Sequence, residues 1–79
     1  IGITTSGGSP NVINALKACA ELGVVSAVFS GSGAVEVDGI DHIIAVPSND
    51  TARVQECHIM IGHILCGLVE REIFGHLKV

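Results

Sequence analysis

Two apolar residues, Ile1 and Ile3, precede a polar hexapeptide, so residues 1–5 read as the end of a β-branched strand stopped by a glycine pair. From Pro10 the pattern turns helical. Val12, Leu16 and Cys19, flanked by Ile13 and Ala20, recur at i, i+4 and i+7 and form one face. Gly23 stands where a left-handed residue closes a helix, so the spacing predicts a helix over 10–22. Residues 24–30 are nearly continuous apolar sequence, as in a strand covered on both faces of a parallel sheet. Residues 31–41 are loop by composition, and 42–46 form a third strand stopped by Pro47. Ser48, Asn49 and Asp50 offer cap oxygens before a helix over 51–74, whose apolar positions wrap most of the circumference. Such a helix is expected to pack against its own sheet on one side and another subunit or domain on the other.

The order strand, helix, strand, loop, strand, helix predicts an α/β layer structure with a parallel sheet. Composition adds a constraint. The chain has 79 residues, of which 48% are hydrophobic and 15% charged, and its mean hydropathy is +0.61. That is too apolar for the surface of a small free-standing domain, and Ile1 stands without a preceding Met. The expectation is therefore one partial domain over residues 1–79, with edge strands of its sheet missing.

The net charge of −4, with no basic run, gives no footprint for nucleic acid or an anionic membrane. The uncharged part of the last helix is too short to span a bilayer. Cys19, Cys57 and Cys66 make an odd count without CxxC spacing, so they read as buried free thiols of a cytoplasmic protein.

Candidate chemistry begins at Thr4-Thr5-Ser6-Gly7-Gly8-Ser9. Four hydroxyls and two glycines at a strand-to-helix junction can cradle an anion: the hydroxyls donate, glycine lets backbone approach, and the helix start adds free N–H groups. Phosphate is the natural guest. An ordinary polar turn with Ser9 as N-cap and Pro10 at the first helical position fits the same residues. Within the last helix, Gln55, Glu56, His58 and His63 interrupt the apolar pattern, and each must be paired or exposed. A histidine there can be a hydrogen-bonded core residue or part of a site.

Three stretches carry a resemblance: residues 3–12 around the hydroxyl loop, then Val46-Pro47-Ser48-Asn49-Asp50-Thr51-Ala52-Arg53-Val54-Gln55-Glu56, then His58 with Ile61-Gly62-His63-Ile64-Leu65-Cys66. In this order they resemble the second half of the phosphoheptose isomerases (sedoheptulose 7-phosphate isomerases) of the sugar isomerase, or SIS, superfamily. Gln55 followed eight residues later by His63 points to the isomerase branch. Residues 30–41 depart from the family's usual Lys-Asp-Gly-Gly type loop, and Gly8 stands where Asn is common.

The resemblance implies the C-terminal half of a three-layer αβα SIS domain. It also implies a phosphosugar isomerase, interconverting sedoheptulose 7-phosphate and D-glycero-D-manno-heptose 7-phosphate for lipopolysaccharide precursors. Thr4, Thr5, Ser6 and Ser9 would hold the sugar phosphate. Gln55 would contact substrate and, with His63, ligate zinc, while His63 also moves a proton. The family's glycine-rich sugar-binding loop and its helix with His and Glu are not in this sequence. A homotetramer is implied as well.

Eight helical residues rise roughly 12 Å and turn a net angle of about 80°. Gln55 and His63 would thus meet at one ion only with extended side chains or an irregular helix start, or else serve two sites across a subunit interface. A non-catalytic SIS module, sensing a sugar phosphate or regulating replication initiation, is the competing reading. A nucleotide-binding piece is disfavoured by the lack of GxGxxG or a P-loop lysine.

Overall fold

The computed structural model describes residues 1–75. Its elements are β1 (Gly2–Ile3), α1 (Pro10–Leu22), β2 (Ala27–Ser30), β3 (His42–Ala45) and α2 (Thr51–Phe74). The three strands form one parallel sheet in sequence order, β1-β2-β3, so the expected α/β class and element order hold.

Register assigns the helices to faces. Gly2 pairs with Val28 and Ile3 with Phe29, so side chains alternate between the two sides of the sheet in matched pairs. Gly2 lies against Val12 and Leu16 of α1. Phe29, on the other side, meets His58 of α2. The helices therefore sit on opposite faces, giving the three layers of an αβα arrangement. Between them lies a small core of Leu16, Val28, Phe29 and Val54.

Both helices have the boundaries that the sequence pattern predicts. Pro10 opens α1, and Gly23, at φ 69°, closes it. The Gly23 and Val24 N–H groups return to the Ala20 and Cys19 carbonyls in a Schellman closure. That closure shortens β2 relative to its apolar run, because the Val24 N–H is spent on α1 and pairing starts at Ala27. The α2 cap is Asp50, whose side chain accepts from the Ala52 and Arg53 N–H groups. Ser9 differs from expectation. It occupies the N-cap position without capping α1, because its hydroxyl is hydrogen-bonded to that of Thr4.

The thiols also depart from expectation. Cys19 and Cys57 are half-buried and Cys66 is exposed, since the described residues leave the outer faces of both helices uncovered. On α2 only Val54 and His58 are buried. Ile59, Met60, Ile64, Leu68, Val69, Ile73 and Phe74 are each more than half exposed. Edge strand β3 is likewise exposed throughout.

At the carboxyl edge of the sheet, two loops interlock through glycine. Gly7, at φ 81°, lies so close to residue 34 that a Cβ would stand 2.6 Å from the Ala34 carbonyl oxygen. Reciprocally, a Cβ on Gly33 would collide with the Ser6 carbonyl oxygen. Ser32 extends the contact through its hydrogen bonds to the Asn49 side chain and the Ser48 carbonyl.

Two outcomes are expected of this packing. Gly33→Ala should destabilise the protein by about 1–3 kcal/mol, the cost of forcing backbone apart, whereas Gly8→Ala, with open space around it, should change stability by less than about 0.5 kcal/mol. Equal denaturation midpoints for the two would show that the loops do not constrain each other. The isolated 79-residue chain should also self-associate through its uncovered α2 face, since contiguous apolar patches beyond roughly 400 Å² tend to find partners. Sedimentation velocity checks this, and a monodisperse monomer would count against it.

Candidate functional site

Thr4 comes directly after β1, and its backbone N–H bonds to the Phe29 carbonyl at 2.9 Å, so its side chain is carried into the turn in a buried position. There its Oγ1 accepts the Gly7 N–H at 3.2 Å and lies 2.8 Å from the Ser9 hydroxyl. If Thr4 donates to Ser9, the Ser9 proton points outward for a guest, polarised by the bonds behind it. Ser6 is exposed, and its Oγ accepts the Gly8 N–H at 3.2 Å. Thr5 is half-buried. Because Ser9 does not turn back onto α1, its side chain leaves the first-turn amides of that helix uncapped among the described residues. The hydroxyl loop is thus a braced turn: Thr4 works inside it, Ser6 stands at its rim, and uncapped helix amides lie beside it, an arrangement suited to an anion.

The second candidate feature is a groove of about 460 Å³ along α2. Ile3 and Phe29 form its floor, and Gln55, His58, Ile59, Gly62, His63 and Cys66 form its helical wall. These helix positions advance in steps of three and four residues, so they make one stripe down a single face. Gln55 and His63 are both exposed on that stripe. Their separation along the helix places them at different levels of one groove rather than on unrelated faces.

Groove and loop are joined by β1. The strand that carries Ile3 into the groove carries Thr4 into the hydroxyl loop one residue later. Among the described residues, no group of three or more His, Cys, Asp or Glu side chains converges as a metal site would require. A larger hollow of about 600 Å³ lies between α1 and residues 35–38, away from every candidate residue. Its charged lining is Lys17 against Glu21, Glu36 and Asp38, which disfavours an anionic guest.

One contributor was not singled out from sequence. Residues 31–34 brace the hydroxyl loop, and their signal was the alternation Gly31-Ser32-Gly33, which composition alone marks only as loop. His58, expected to be either paired or exposed, is paired: its Nε2 lies 2.9 Å from the Ser30 carbonyl oxygen. The described helix α2 is also not long and apolar enough to cross a membrane.

No protein-family model matches the chain. Individual relatives do. Phosphoheptose isomerase 2 of Campylobacter jejuni is 49% identical over 76 residues, which is 95% of this chain and 38% of the relative. The phosphoheptose isomerase of Paramagnetospirillum magneticum is 54% identical over 71 residues, 89% of this chain and 37% of the relative. That of Aquifex aeolicus is 50% identical over 74 residues, 92% of this chain and 39% of the relative. At about half identity along nearly its whole length, the chain is similar to these phosphoheptose isomerases and spans somewhat more than a third of the length of the proteins that it matches.

Proposed function

We propose that this chain is the part of a phosphosugar isomerase that holds the substrate phosphate and supplies a proton-transfer histidine. The observation that carries the reading is the continuity of β1 from the apolar groove, with Gln55 and His63, into the hydroxyl loop. A phosphorylated sugar lying across that junction would have its anionic end at the loop and its carbon chain along the groove. The names of the relatives make a heptose phosphate the substrate class to test, with sedoheptulose 7-phosphate and D-glycero-D-manno-heptose 7-phosphate as the pair interconverted.

Ketose-to-aldose isomerisation moves a proton from C1 to C2 through an enediol. A base takes a C1 proton while the C2 carbonyl oxygen gains one, giving the enediol; the base then returns its proton to C2 while the O1 hydroxyl gives up its proton and becomes the aldehyde oxygen. An imidazole is suited to accept and return such a proton near neutral pH, and we assign this role to His63. Thr5, Ser6 and Ser9 hold the phosphate, Thr4 shapes their loop, and the Gln55 carboxamide orients sugar hydroxyls.

Gln55 and His63 offer an oxygen and a nitrogen donor, whereas a catalytic zinc centre takes about three protein ligands. The described residues do not complete that set, so a zinc ion here requires further donors from outside them. A divalent ion so held would supply polarisation of the substrate oxygens. A soluble cytoplasmic enzyme, assembled as an oligomer such as a tetramer that covers the apolar side of α2, completes the proposal.

In the full-length protein, Ser6→Ala should weaken phosphosugar binding by about 1–3 kcal/mol, the scale of a hydrogen bond to a charged group. Unchanged affinity by calorimetry would remove the loop from the site. His63→Asn should leave folding and phosphate binding largely intact while turnover falls by about 10²-fold or more. A lowered melting temperature with retained turnover per folded molecule would instead make His63 a structural residue.

A further inference from the structure

The Ser30 carbonyl, at the carboxyl end of β2, accepts two hydrogen bonds. One comes from the Val46 N–H at 2.9 Å, continuing the pairing of β2 with β3. The other is from His58 Nε2, also at 2.9 Å. A carbonyl oxygen brings no proton, so Nε2 carries the hydrogen in this bond. Nδ1 is buried without a partner among the described residues. The ring is 4% exposed and tilted at 50° against Phe29, with centroids 5.8 Å apart. Imidazole, carbonyl and strand are thus fixed together in the core.

The residues just beyond Ser30 extend the reach of this bond to the hydroxyl loop. A Cβ on Gly31 would stand 2.6 Å from the Thr5 carbonyl oxygen, and two residues on, Gly33 abuts Ser6. Ser30 is therefore the root of the strut that backs the loop. On the helix side, His58 lies on the groove stripe between Gln55 and His63.

We propose that His58 is a positioning residue. Its Nε2–H locks α2 to the root of the strut and so sets where the hydroxyl loop stands relative to Gln55 and His63. The inference rests on the phosphate role assigned to the loop. The hydrogen bond then matters for ligand affinity at a site that the imidazole does not touch.

The test compares two amide substitutions in the full-length protein, using inorganic phosphate in calorimetry and sedoheptulose 7-phosphate for turnover. In His58→Gln the amide nitrogen reaches the place of Nε2 and can donate to Ser30, whereas in His58→Asn it stops at the place of Nδ1. His58→Gln should keep phosphate affinity within about threefold, and His58→Asn should lose about tenfold, the scale of one buried hydrogen bond. Equal phosphate affinity for the two variants overturns the proposal, as does a His58→Asn protein that fails to fold while His58→Gln is unaffected in binding and turnover, because His58 would then be purely structural.

A measurement on the unmodified protein is independent of both variants. By reciprocity of coupling, saturating phosphate should slow solvent exchange of the His58 Nε2–H proton in NMR by about tenfold, the factor by which losing the bond weakens phosphate. Unchanged exchange at saturation overturns the proposal. Absence of turnover with the phosphate effects intact defeats the isomerase reading alone, and absence of phosphate binding in the unmodified protein defeats both.

Discussion

The hydrogen bond from the Thr4 N–H to the Phe29 carbonyl fixes where β1 ends, and the carboxyl edge of the molecule is arranged around that end. It continues a strand of only two residues, yet the register it extends sends Gly2 toward α1 and Ile3 toward α2. A slip by one residue would exchange these faces, placing an isoleucine where Val12 and Leu16 leave room only for glycine. Thr4 would then leave its buried position, and the hydroxyl pair that braces the turn would be lost. Few side chains are buried in this small core, so the geometry rests on register and glycine contacts more than on bulk hydrophobic packing.

How much of this was legible in the sequence varied with the kind of signal. Helix limits were readable because local chemistry sets them: Pro10 and Gly23 bracket α1, and Asp50 caps α2. Strand limits were not, because pairing depends on what lies opposite. Val24 and Val25 look like strand residues, but Val24 closes the preceding helix and Val25 stays exposed. Ser9 was recognisable as an N-cap by position, while its actual partner, Thr4, depends on how the turn folds.

The candidate site shows the same division. The hydroxyl cluster and the offset of Gln55 from His63 are linear features and could be read directly. That these two residues share one groove required the stripe of Ile59, Gly62 and Cys66 beside them, and the floor of Ile3 and Phe29 from distant sequence. The bracing loop was least visible. Its glycines serve a contact with residues 25 or more positions away, and nothing in a loop-like composition reveals which backbone it must approach. Similarity to the phosphoheptose isomerases rests on sequence identity along the chain and is independent of these geometric details.

The Gly7 N–H is bonded to Thr4 Oγ1, and the Gly8 N–H to Ser6 Oγ, within the turn itself. A turn held in this way has lost most of its backbone freedom during folding, so an arriving anion has little chain entropy left to remove. The remaining cost of capture is the stripping of water from the anion and from the rim hydroxyls. Were an anion bound at this turn, its association would be governed by diffusion and dehydration rather than by loop closure.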